Sequence, residues 1–345
     1  MVGAEWSASN RSNGAGQLVM MQIGLIGIAA GAASALLFAS VASGVWLSVP
    51  LFYLAPLPIL IAALGWSHWA ALVAALAAAT ALAAFFGPLF FFAFLAGAGV
   101  PAWWLGYLGM LARPIAAGDG NGAAVLEWYP PGRLVCWAAI LAALAVIVAI
   151  GTLGTDVASF RAALHGALMD ILSPESGAGT DAAARTSGIK DPHRLVSFLV
   201  VVIPPAATVV ATVTSLVNLW LAARIVKVSG RLQRPWPQLS AMTFPKPLAA
   251  AFALAAILSF IGGMTGLFAG VLATGLMIAF AALGLAVLHF VTQGLASRAF
   301  LLGGIYAALI VFGWPVLALC ALGLVDIAFN LRPRLAQRRG PPAPT

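Results

Sequence analysis

From Ser12 to Ala112 the chain has no Asp, Glu, Lys or Arg, a run of 101 consecutive positions without a charged side chain. A water-soluble fold cannot hide such a stretch, because its surface needs charge. A bilayer interior demands the opposite, since one charge at its centre costs at least roughly 2.5–3.5 kcal/mol on insertion scales. The chain therefore reads as a polytopic membrane protein. Of its 345 residues 63% are hydrophobic and 8% charged, against about 25% charged in ordinary soluble domains. The apolar runs are long, Ala/Leu-rich and without strand-like alternation, which favours helices over a transmembrane barrel.

Turn residues divide the apolar blocks. Breaks at Ser43-Gly44, Ser67-His68 and Gly87-Pro88 predict spans over 20–43, 45–66, 68–87 and 89–112. A polar loop follows at 113–133, then spans at 134–154, 195–223, 247–263 and 265–292. Pro204-Pro205 predicts a kink in the sixth span, and Gly313-Trp314-Pro315 splits the last block, 299–331, into two short helices. The expected architecture is an all-α transmembrane bundle of about ten membrane helices, with eight or nine as the alternative. It forms a single membrane domain over 20–331. A disordered tail at 1–19 precedes it, and a basic, Pro-rich tail at 332–345 follows it.

Residues 155–172 read as an amphipathic helix on the membrane surface. Val157, Phe160, Leu164, Leu168, Ile171 and Leu172 share one face, and Thr155 is the expected cap. Residues 173–194 read as a flexible loop.

The net charge of +8 suggests nucleic acid, but the basic residues sit in short segments between apolar runs. That is the positive-inside pattern, with the bilayer as the expected partner and no nucleic acid. The 224–246 loop has five basic residues and no acidic one, so it is placed in the cytoplasm. Parity then puts both termini in the cytoplasm and 155–194 outside. The chain has no GxxxxGK[ST], HExxH or CxxC motif. No catalytic residue, metal site or cofactor is expected. Cys136 and Cys320 read as small core residues.

Polar residues inside spans are the default functional candidates, because an unpaired polar group in lipid is costly. Thr208, Thr212, Ser215 and Asn218 form a stripe just past the Pro-Pro pair, either the lining of a small-molecule cavity or helix-packing glue. His289 with Gln293 and Asp326 with Asn330 are two i, i+4 pairs that the topology puts at one depth. A His289–Asp326 contact is expected from this. Its role is either a helix clamp or a proton or substrate site. The other possibilities are that Asp326 answers the nearby arginines or that the group is exposed at the surface. The small residues from Ala29 to Ala35 permit close helix approach, inside the bundle or against another membrane protein.

Four segments carry a resemblance. They are Leu54-Ala55-Pro56-Leu57-Pro58, Gly99-Val100-Pro101-Ala102-Trp103-Trp104-Leu105-Gly106, Gly284-Leu285-Ala286-Val287-Leu288-His289, and the stretch from Leu322 through Asp326 to Arg332. In order and spacing they resemble the bacterial membrane family catalogued as domain of unknown function 2232, over roughly residues 22–335. That family is similar in fold to the substrate-binding S components of energy-coupling-factor transporters. In those proteins a small-residue surface on the first helix docks on a membrane coupling protein, and separate ATPases supply energy. Ala29 and Ala33 match that surface. The resemblance implies a bacterial inner-membrane protein that binds or takes up a small molecule, and the thin polar clusters inside the spans argue against an intramembrane enzyme. The alternative is a scaffold for envelope or morphogenesis proteins that transports nothing.

Overall fold

The computed structural model describes residues 2–115, 125–172 and 192–339. Seven helices among them are long and apolar enough to cross a membrane: Met20–Ser43, Ser48–Gly65, His68–Phe86, Pro88–Gly109, Pro131–Leu153, His193–Val228 and Gly263–Val291. Three shorter apolar helices bring the apolar helices to the ten expected. Contacts along the chain group the residues into two compact units. Unit one holds Met1–Leu134 and Thr214–Pro237, and unit two holds Val135–Val213 and Gln238–Thr345.

Unit one begins with α1 (Val2–Ala39), α2 (Ser48–Tyr53), α3 (Leu57–Gly65) and α4 (His68–Phe86). It continues through α5 (Pro88–Phe94) and α6 (Val100–Gly109). The α1 backbone is helical through 2–19, where a disordered tail was expected. That segment has no proline, and a helix already nucleated by the apolar turns extends at small cost per residue. α1 lies along α4. A Cβ on Gly27 would stand 2.6 Å from Val73 Cγ1, and one on Gly31 2.6 Å from the Ala74 carbonyl. α4 answers with an alanine face, Ala70, Ala71, Ala74, Ala75, Ala78 and Ala79, all buried. The Ser67 hydroxyl oxygen accepts the Ala70 N–H at the start of α4. At the expected 113–133 loop, beginning one residue before it, β1 (Ala112–Ile115) and β2 (Val125–Trp128) pair antiparallel, Ala112 opposite Trp128.

Unit two holds α7 (Pro131–Leu153), apart from its first residues, and α8 (Val157–Leu172). The helix α9 (Pro192–Val228) belongs to unit two up to Val213 and to unit one beyond it. Unit two is completed by α10 (Pro247–Leu258), α11 (Gly263–Val291), α12 (Arg298–Phe312), α13 (Pro315–Phe329) and α14 (Leu331–Arg339). α11 is the core helix, and its Phe280 and Leu283 pack with Phe244, Leu319 and Cys320. α11 and α13 cross at two glycines. A Cβ on Gly284 would overlap the Leu319 carbonyl, and one on Gly323 the Phe280 carbonyl. α10 stops at Leu258, short of the expected 247–263 span, because Gly262 and Gly263 adopt successive positive φ of 82° and 64°. The expected break before Pro315 is present, with Gly313 at φ 70°.

α8 turns Phe160 and Leu164 onto Ala143, Ile150, Val271 and their neighbours, the face its spacing predicts. Its cap is Asp156, not Thr155. The Asp156 carboxylate accepts the N–H groups of Ala158 (2.8 Å) and Ser159 (2.9 Å), and the Asp156 N–H donates to Ser159 Oγ. A carboxylate can accept both orphan donors at once, which a threonine hydroxyl does less well. Of the expected flexible loop, residues 173–191 lie outside the described residues, and His193 and Arg194 already belong to α9. The tail expected from 332 is helical to Arg339, and residues 340–345 lie outside the described residues.

Candidate functional site

The second membrane span is broken in its middle, and the break follows from two prolines. Pro56 and Pro58 have no N–H, so the carbonyls of Phe52 and Leu54 lose their i+4 donors. They take i+3 donors instead, Ala55 N–H at 3.1 Å and Leu57 N–H at 2.9 Å. Drawing the Leu57 N–H to Leu54 strips the Tyr53 carbonyl of its own helical partner. Asn218 on α9 replaces it, with Nδ2 donating at 2.8 Å. The neighbouring Ala55 carbonyl accepts from Ser34 Oγ on α1. A backbone break at membrane depth must be satisfied by protein, and here two side chains from two other helices do so.

The donor side of Asn218 is fully used, because Nδ2 also donates to the Thr214 carbonyl at 2.9 Å. Two carbonyl partners fix the amide orientation, since only the nitrogen can face both. Asn218 is 1% exposed, and its Oδ1 is buried without a hydrogen-bond partner. An orphaned buried acceptor is uncommon in a native interior and calls for an explanation.

Aromatic rings stand around the break. The Phe38 ring on α1 has its centre 4.8 Å from that of Phe52 and 5.2 Å from that of Phe94, the latter nearly perpendicular. Phe94, fully buried, leads into a π-type turn over Leu95–Gly99. A Cβ on Gly99 would stand 3.4 Å from that of Ala75. Such wide turns inside helices gather at functional sites.

The other stripe residues behave differently from Asn218. Thr208 and Thr212 are buried and donate to the carbonyls of Pro204 (3.0 Å) and Thr208 (2.8 Å), one turn back on their own helix. They are packed dry and line no cavity with their hydroxyls. Ser215 is half-buried.

The expected His289–Asp326 contact does not form. His289 Nε2 meets the Tyr306 hydroxyl at 2.9 Å. Gln293 lies beyond the end of α11 and is exposed. Asp326 Oδ2 instead accepts from Arg332 Nη2 at 2.6 Å and Nε at 3.1 Å, both side chains being nearly enclosed. Asn330 makes this possible. It caps α13 in the left-handed region (φ 51°) and turns the chain so that Arg332 returns to Asp326. Arg332 Nη1 also donates to the Ser240 carbonyl at 2.9 Å. Asp326 therefore answers a nearby arginine, one of the alternatives the sequence left open.

On α1, Ala29 and Ala33 face outward with Leu25, Ile28 and Leu36, while Gly27, Gly31 and Ser34 take the close contacts. The Gly27-x-x-x-Gly31 spacing was the available signal for the packed face.

A second polar region lies where α9 ends. Gly230, at φ 71°, closes the helix, with its N–H donating to Lys227 O and the Arg231 N–H to Val226 O. The returning segment is fastened by Arg234, whose guanidinium donates to the carbonyls of Gly109 (2.8 Å) and Tyr129 (2.7 Å). Burial of Arg234 lowers its pKa from the ordinary arginine value.

These features define a multi-pass helical membrane protein with a discontinuous second span whose broken turn is held by Ser34 and Asn218. The family model described as "Predicted membrane protein (DUF2232)" matches residues 31–327, and the chain belongs to that family. No curated protein and no solved structure matches it.

Proposed function

We propose that the protein binds a small molecule at the broken turn of its second span, with Asn218 as the recognition residue. The observation that carries this reading is the Asn218 Oδ1 acceptor, buried and unpartnered beside a discontinuous membrane helix. Interrupted helices mark substrate sites in many membrane transporters, because irregular backbone supplies polar groups at membrane depth. The ligand would present a hydrogen-bond donor to Oδ1 and an apolar body to the phenylalanines. The protein would work in the manner of a transporter S component, in a bacterial inner membrane with both termini cytoplasmic, with no catalytic step or ATPase of its own. The outward-facing Ala29 and Ala33 surface would meet a coupling protein. This reading narrows the stripe of Thr208, Thr212, Ser215 and Asn218 to Asn218 and its partners.

The test is native mass spectrometry of the full chain purified from its own membranes in mild detergent. A small molecule retained by the wild type and lost in Asn218→Ala supports the reading. Co-purifying envelope proteins, with no small molecule on either form, would replace it with the scaffold reading.

A further inference from the structure

The end of α9 and the turn after it carry three exposed cations, Arg224, Lys227 and Arg231. Among the described residues none of them has a carboxylate to answer it. From Pro192 to Val325 the chain has no Asp or Glu, and Glu127 is taken by Arg113. Each of the three is seated on an indole instead. Lys227 Nζ stands 4.8 Å from the Trp236 ring centre and Arg224 Cζ 5.7 Å from the same ring, while Arg231 Cζ lies 4.5 Å over Trp66. A ring contact positions a cation without consuming its N–H donors. Arg234 holds the returning segment by its two carbonyl bonds, so Trp236 is presented to α9 by a fixed backbone. The result is a pre-arranged set of unspent cationic donors beside the end of a membrane helix, interleaved with residues that favour the bilayer interface.

We infer that Arg224, Lys227 and Arg231, seated on Trp66 and Trp236, bind the phosphate headgroup of an anionic phospholipid. The excess positive charge selects an anion, and the guanidinium fork suits phosphate oxygens. The indoles and the adjoining apolar helix suit the acyl chain, which favours a lipid over a free anion. This site is separate from the Asn218 site and stands whether or not that reading does.

The experiment places the full chain in nanodiscs of phosphatidylcholine mixed with phosphatidylglycerol and counts lipids retained in native mass spectrometry. Each basic residue near an anionic surface contributes roughly a fivefold preference, so three predict enrichment of phosphatidylglycerol on the order of a hundredfold. Arg224→Gln, Lys227→Gln and Arg231→Gln combined should abolish it with helicity and elution unchanged. If that variant fails to fold, Lys227→Gln alone should lower retention by about fivefold. Arg231→Lys should retain more lipid than Arg231→Gln. Equal retention of both lipids by the wild type, or no loss in a folded variant, overturns the inference. Displacement of the lipid by millimolar inorganic phosphate would overturn it in favour of a soluble phosphate ligand.

Discussion

Asn218 and Tyr53 lie 165 positions apart in the chain, yet the Asn218 amide nitrogen donates to the Tyr53 carbonyl at 2.8 Å. The bond exists because Pro56 and Pro58 displace the donors that would have closed the second span into one helix. Substituting Asn218 by alanine leaves that carbonyl buried and unpaired, at a cost of about 1–2 kcal/mol. Ser34→Ala should behave similarly at the Ala55 carbonyl. Because both bonds support one turn, the double variant should depart from additivity. Thr212→Val removes only a bond to its own helix and should change stability by less than about 0.5 kcal/mol. Thermal unfolding in detergent ranks the four variants, and a Thr212→Val loss equal to that of Asn218→Ala would contradict the assignment.

Much of this site was visible in the sequence in fragments. The Leu54-Ala55-Pro56-Leu57-Pro58 segment announces a broken helix, and Asn218 stands out as an amide within an apolar span. What could not be read is that the one serves the other, because pairing between helices leaves no local spacing. The threonines illustrate the opposite case. Their i, i+4 spacing is the spacing of self-satisfaction within one helix, and Thr212 donates to the carbonyl of Thr208. On α1 the resemblance singles out Ala29 and Ala33, while the glycines four apart take the close contact with α4. Alanine-rich helices carry almost no facing information, since every side of them is small and apolar. Asp326 found its partner six positions on, outside any helical ridge, because the left-handed turn at Asn330 folds the chain back.

The crossing of α11 and α13 depends on two backbones touching. Gly284→Ala would drive a methyl group into the Leu319 carbonyl, and Gly323→Ala would do the same at Phe280. Overpacking of this kind costs typically about 1–3 kcal/mol. At Gly303, an exposed position inside α12, a methyl group would meet nothing within 4 Å, so Gly303→Ala should be neutral to slightly stabilising. Equal melting temperatures for the three variants would show that the helices separate easily.

The cap of α8 titrates. The backbone N–H of Ser159, then its side chain, hold the Asp156 carboxyl below its ordinary value of 3.8. A depressed folded value means the cap's contribution is fully present above 3.8 and is lost as pH falls through the lower folded value. Hydrogen exchange at the Ala158 and Ser159 amides should therefore gain protection as pH rises through that acidic window, after correction for intrinsic rates. In Asp156→Asn the protection should be independent of pH there, and in Asp156→Ala it should be absent. A pH-dependent profile in Asp156→Asn would assign the titration to another group.

Asp326 and Arg332 form a shielded pair in which each makes the other tolerable. Their side chains are 6% and 9% exposed. Taking both charges from water is expensive, and removing one partner leaves the other uncompensated, at about 3–5 kcal/mol. Asp326→Ala should thus be strongly destabilising. Replacing both, as Asp326→Leu with Arg332→Met, removes the charges together and should recover most of that loss. Recovery stays incomplete by about 1–2 kcal/mol, because the Ser240 carbonyl loses the Arg332 donor that holds it. The double-mutant cycle in detergent unfolding measures the coupling directly. Independent, additive losses would mean that the two charges do not stabilise one another. A double variant that regains stability while function is lost would mean that this charge pair serves more than the fold.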